Sequence, residues 1–288
     1  MGITALLLEV VLASTMQVDL DLVPLVDSVL PGTIVDVALI ASADGPESIV
    51  TVEAILQWDP SRLELIGATV GTIPFFVEGF LPDPDGINTD LTDGDAVYTV
   101  LTPLGSSQPV PPDVLVAVFH VKVLTSGCLA LPADLGGLVT TRVLTFGQGD
   151  ITGALSAPVG FEALPGAWTD LGLGLAGTGA LTPTLVGEGI LLDCDDVTLT
   201  LGDALPNTSS FLVIGFSFLG ASLKGGVLVP TPNFVITLPT GPLGAWSVSA
   251  PWLSGIPPGI SFWLQTWTSD PGGPKGFAAT NGLQATTP

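Results

Sequence analysis

Carboxylates crowd residues 83–95, where Asp83, Asp85, Asp90, Asp93 and Asp95 stand together with Asn88. Oxygen donors at this density suit a hard cation, Ca2+ above all. The loop opens as Asp-x-Asp-Gly, but Ile87 and Gly94 fall where an EF-hand needs a ligand and its closing Glu. The expectation is an irregular Ca2+ site, set against plain solubilising charge. Asp193, Asp195 and Asp196 form a weaker second group around Cys194. Trp263, Gln265 and Trp267 alternate along one predicted strand and share a face. Such a row stacks on sugar rings if exposed and fills a sandwich core if buried.

The rest of the reactive inventory is sparse. The chain holds one histidine, one tyrosine and five Lys or Arg among 288 residues. That leaves little for acid–base or oxyanion chemistry, and His120 falls among alternating apolar residues, the setting of a hydrogen-bonded sheet histidine. G-x-S-x-G, H-E-x-x-H and Walker A sequences are missing. The expectation is a protein that is not an enzyme. Cys128 and Cys194, 66 positions apart, are a disulfide pair or two buried free thiols. A bridge would join two domains.

Composition narrows the class further. The formal charge is -22, yet 11% of residues are charged and 47% are hydrophobic. Such a surface cannot neutralise phosphates, so nucleic acid is excluded as a partner. The apolar excess is too high for disorder. Either assembly covers part of the surface, or a Thr/Ser-rich coat finishes a monomer. Asp outnumbers Glu by 20 to 7, which places most acids in turns and loops.

The elements that must position these residues read as strands. Residues 18–23, 33–40, 48–58, 97–101 and 114–123 alternate with period two between Pro, Gly and Asp clusters. Residues 197–201, 210–218, 234–238, 246–250 and 260–268 continue the pattern. The predicted fold is all-β: two β-sandwich domains of jelly-roll or Ig-like type, joined by a Gly-rich linker and preceded by an apolar strand. The expected divisions are 1–16, 17–166, 167–180 for the linker and 181–288. The Gly172, Gly174, Gly177 run matches G-x-G-x-x-G but lacks the strand–helix setting of a dinucleotide site. Residues 3–12, ITALLLEVVL, have no preceding Lys or Arg and contain Glu9. They are a remnant of a targeting segment, or a strand docked in the protein's own sheet or in a neighbouring subunit. No stretch has the length and apolarity of a membrane-spanning helix.

Three stretches resemble the cohesin-type β-sandwich: Pro31-Gly32-Thr33-Ile34-Val35-Asp36-Val37, Leu56-Gln57-Trp58-Asp59-Pro60-Ser61-Arg62-Leu63-Glu64-Leu65, and Leu115-Val116-Ala117-Val118-Phe119-His120-Val121-Lys122-Val123. Trp58 stands where that family usually carries Tyr, and Pro112-Asp113 replaces its glycine before the third stretch. The resemblance implies a cohesin-like sandwich over residues 17–165 and a binding or adhesion module, with no particular binding face carried over. The end of the chain, with Gln265-x-Trp267-x-x-Asp270 and Gly276-Phe277-x-x-Thr280-Asn281-x-Leu283, is similar to C-terminal β domains of secreted and surface proteins of aquatic bacteria. That likeness implies secretion. The combined expectation is an extracellular or cell-surface structural protein that self-assembles into a filament, sheath or surface layer. The alternative is a cohesin-type adhesion module recognising a protein or glycan, with Ca2+ as a further component.

Overall fold

The computed structural model describes residues 17–71, 76–82, 86–137, 139–147 and 149–288. Residues 3–12, Asp83 and Asp85 lie outside them. The described chain is nearly all β, in two units that share no sheet.

The first unit is a sandwich. We label its main strands β1 (Val18–Pro24), β2 (Ile34–Ser42), β3 (Thr51–Trp58), β4 (Leu63–Val70), β5 (Asp95–Leu101), β6 (Val114–Val123), β7 (Gly127–Ala130), β8 (Arg142–Thr145), β9 (Thr152–Leu155) and β10 (Val159–Ala163). One sheet runs β9-β1-β2-β6-β4, antiparallel except for the parallel β9–β1 pair. In the other, β3 pairs β5 on one side, β8 and β7 follow one another along its other side, and β10 lies beyond β7. Period-two alternation puts Leu20, Val37, Leu39 and Phe119 inside from one sheet, and Val52, Leu56, Tyr98 and Phe161 from the other. Tyr98 and Phe119 meet edge to face at 5.3 Å. Trp58, Leu63 and Leu65 are buried in that core. Between them, the Asp59 carboxylate accepts hydrogen bonds from the Ser61 amide and hydroxyl at 2.9 and 2.6 Å and closes the turn. The predicted strand 48–58 is divided: Glu47–Ile49 pairs with Gln108–Val110, and Thr51 onward joins the second sheet.

The second unit contains β11 (Trp168–Gly172), β12 (Thr184–Glu188), β13 (Asp196–Gly202), β14 (Ser209–Gly215), β15 (Phe218–Leu223), β16 (Gly226–Pro230), β17 (Phe234–Pro239), β18 (Trp246–Pro251), β19 (Ser261–Ser269), β20 (Phe277–Ala279) and β21 (Gly282–Thr286). The larger sheet runs β11-β21-β19-β14-β17, with β20 beside β19. A three-stranded sheet, β12-β13-β18, covers one of its faces, and β15 and β16 form a hairpin.

The expected linker at 167–180 is corrected by this pairing. Residues 168–172 are a strand bonded to β21, and Leu175 bridges Ala279. Ala163 packs on the first core while Ala167 is buried in the second. Residues 164–166 therefore make the connection. Glycine content suggests slack, but a Cβ on Gly174 would collide with the Thr182 side chain and one on Gly177 with the Asp270 carboxylate, while Gly172 and Gly179 hold positive φ. Cys128 and Cys194 form a disulfide with Cα atoms 6.3 Å apart, and Arg62 donates to the Pro288 carbonyl at 3.2 Å. Both contacts tie one unit to the other.

Candidate functional site

The groups expected to do chemistry are taken up by the fold. Asn88 donates to the carbonyls of Leu81 and Val97 at 2.6 and 2.8 Å and accepts from the Val97 amide at 2.8 Å. The Asp90 carboxylate accepts from the Thr92 hydroxyl and amide, which hold it below the usual carboxylate range. Asp93 accepts from the Asp95 amide at 3.4 Å. Asp195 accepts from the amides of Ile190 and Asp196, each at 2.9 Å. Among the described residues no three carboxylate, His or Cys side chains converge as a metal cluster.

The Trp263, Gln265, Trp267 row is not an exposed sugar platform. Gln265 and Trp267 are buried, and Trp263 is half-buried. Gln265 accepts from the Trp267 indole and the Val229 amide, each at 3.0 Å, and donates to the carbonyls of Val227 and Thr280, each at 3.1 Å. The β15–β16 hairpin covers this face, and period two alone cannot reveal a cover supplied from elsewhere in the chain.

Thr69, His120 and Asp36 stand in line across β4, β6 and β2. His120 is 2.7 Å from Asp36 through Nδ1 and 2.6 Å from Thr69 through Nε2. A hydroxyl–imidazole–carboxylate series can activate a nucleophile, but it needs a water-excluding cleft with oxyanion donors. This one lies on an outward sheet face, with the His120 side chain 31% exposed and that of Asp36 46% exposed. Lys122 pairs with Glu64 on the same strands at 2.9 Å. The five polar side chains form a cross-strand ladder that braces the sheet.

The feature that the fold leaves open is apolar and lies in the second unit. Trp246 of β18 donates its indole N–H to the Ser210 hydroxyl of β14 at 2.9 Å, so β18 stands over β14. Asn281, immediately before β21, exchanges hydrogen bonds with both backbone polar groups of Leu185 on β12, so β12 stands over β21. The three-stranded sheet therefore ends one strand short of β17. Trp168 of β11 reaches over the opposite edge, its indole donating to the Gly189 carbonyl at 2.8 Å. At the β17 edge, Phe234, Ile236 and Val248 are 54%, 45% and 46% exposed. A cavity of about 320 Å³ opens at this end between the sheets, lined entirely by apolar residues that include Trp252, Phe262 and Phe216. Among the described residues β17 and β18 are the outermost strands of their sheets, so each presents a backbone edge with no described strand beside it. The arrangement can accept an extended apolar segment: hydrogen bonds from an edge, side chains into the gap. Sequence reasoning placed β17 and β18 correctly and missed the gap, which arises from the offset between two sheets.

No family model matches the sequence, and no curated protein matches it. Solved structures similar to it include cohesin domains. The third cohesin of ScaC from Acetivibrio cellulolyticus, solved with the ScaB dockerin, is 14% identical over 51% of this chain and 99% of that one, with a TM-score of 0.40. The seventh ScaB type I cohesin from Pseudobacteroides cellulosolvens is 12% identical over 51% of this chain and 92% of that one, with a TM-score of 0.38. A type II cohesin from the cellulosome of A. cellulolyticus is 14% identical over 50% and 95%, with a TM-score of 0.37. The first unit is a two-sheeted β-sandwich. Among the described residues no helix is long and apolar enough to cross a membrane.

Proposed function

We propose that this protein is a non-enzymatic, extracellular structural subunit that associates with copies of itself through its second unit. The half-covered sheet at β17 and β18 carries the reading. Its apolar residues and two free edges form one continuous patch, of the kind soluble monomers avoid. The Cys128–Cys194 bridge supports an extracellular location, because disulfides persist in oxidising compartments. A filament, sheath or surface layer is the kind of assembly that such a subunit builds.

The patch contains no ionised side chain among Phe234, Ile236, Val248, Phe216 and Leu253, while the whole chain carries a formal charge of -22. Association is thus apolar in origin and opposed by long-range repulsion. Sedimentation of the purified chain should show assembly that strengthens as NaCl rises. A strictly monomeric protein at its highest soluble concentration, in low and high salt, would refute the reading.

A second reading, a protein-binding module of cohesin type, draws on the three sequence stretches at 31–37, 56–65 and 115–123. Retention of a secreted protein by the isolated chain on a column, with no self-association, is its expected signature.

A further inference from the structure

We infer that the open place beside β18 is filled by residues 3–12 of a second copy of this chain, which add a strand to the three-stranded sheet. This rests on the assembly reading above and names the segment that performs it.

The place has the dimensions of one strand. β18 offers six residues of unpaired edge, Trp246–Pro251. The floor opposite is β17, also six residues, whose inward side chains Phe234 and Ile236 are about half exposed for want of a strand above them. A strand seated on the edge of β18 lies over β17 and turns alternate side chains onto that floor. An occupant must therefore be extended, apolar on one face, and free of charge on that face.

Residues 3–12 meet each requirement. In an extended conformation Leu6, Leu8, Val10 and Leu12 share one face with Thr4, and Glu9 falls on the other with Ile3, Ala5, Leu7 and Val11. The segment carries a single ionised side chain in a chain of formal charge -22. It thus brings little repulsion to a patch that has no charge of its own.

The topology assigns the occupant to another copy. β1 and β9 are parallel, with Val18 level with Thr152 and Leu20 with Leu155. Ser156 bonds to both Leu20 and Leu22. The following residues, Ala157 and Pro158, line a groove with Cys194 and Pro251 of the second unit. The chain thus enters β1 at the end remote from that junction. To occupy its own slot, it must return along β1 through residues 13–17. These five residues span at most about 17 Å. The return from Val18 to the level of Ala157 consumes about that much at roughly 3.3 Å per residue. Nothing is left to cross into the second unit.

Two full-length variants test this. Leu6→Asp with Leu8→Asp removes the donor face and leaves the slot. Val248→Lys blocks the slot and leaves the donor. Position 248 is half exposed, and an unchanged melting temperature confirms that the variant is folded. Each variant alone should sediment as a monomer while the parent chain assembles. An equimolar mixture should form a heterodimer of twice the monomer mass, in which one chain donates and the other accepts. A synthetic peptide of residues 1–14 should also dissolve the parent assembly. Persistent assembly of the Leu6→Asp, Leu8→Asp chain, or a mixture that stays monomeric, overturns the inference and leaves the assembly reading standing. A monomeric parent chain overturns both.

Discussion

Asp270 shows how a residue with the chemistry of a site can serve the fold instead. It is 3% exposed. Its carboxylate accepts from the Thr178 hydroxyl, from the Thr178 amide at 2.7 Å and from the Gly272 amide at 2.9 Å. Burial pushes the carboxyl up, but these hydrogen bonds outweigh it and hold the group below its ordinary value of 3.8. A depressed carboxyl stabilises the folded state above the unfolded value, and that contribution is lost as pH falls through the folded one. Acid should therefore weaken the second unit progressively below about pH 4. Asp270→Asn should lower stability at neutral pH by about 1–3 kcal/mol, since a charged acceptor of buried donors is lost. The difference between the two proteins should shrink toward pH 2. Melting curves across that range check it, and a gap independent of pH counts against the carboxylate. The Gln-x-Trp-x-x-Asp pattern was legible as a unit, whereas its role was not. Gln265, Trp267 and Asp270 act through Thr280, Val227 and Thr178, which no local spacing connects to them.

At the scale of elements, alternation located most strands, because a strand buried on one face must repeat every two residues. It failed where backbone pairing rather than side-chain burial sets the structure. Residues 168–172 read as glycine-rich slack, yet their partner is β21 near the far end of the sequence. The offset of the two sheets was equally invisible, since it depends on which strands stand across from one another. Asn281 fixes that offset on one side through bonds of 2.8 and 3.1 Å to the Leu185 amide and carbonyl. Asn281→Ala should leave both groups of buried Leu185 without these partners, at a cost of about 1–3 kcal/mol. The loss is local to β12, which forms the edge of its sheet. Hydrogen exchange should speed up at the Leu185 amide and its β12 neighbours while β2 and β6 keep their protection. Uniform loss of protection in both units would show that Asn281 is not a clamp on one element.

The whole molecule is two sandwiches held on a short leash. The connection at 164–166 is covalent and brief, and the Cys128–Cys194 bridge closes a loop across the junction. The cysteine pair was visible in the sequence as two alternatives. Deciding between them needs the distance from β7 to the turn before β13, which is a property of the assembled units. With the two cysteines 66 positions apart, chain-entropy reasoning gives the bridge roughly 4 kcal/mol, less any strain in the folded state. Its action is on coupling as well as on stability. With the bridge intact, opening of the second unit pulls on β7 inside the first core, so the units should melt in one calorimetric transition. After reduction, or in Cys128→Ser with Cys194→Ser, the second unit should melt first. It relies on the smaller of the two cores and leaves the β17 end of its larger sheet uncovered. The first unit should then melt near its original temperature. Two resolved transitions, with thiol titration confirming full reduction, are the expected result. A single unshifted transition in the fully reduced protein would mean that the Arg62–Pro288 contact and the 164–166 connection couple the units without the bridge.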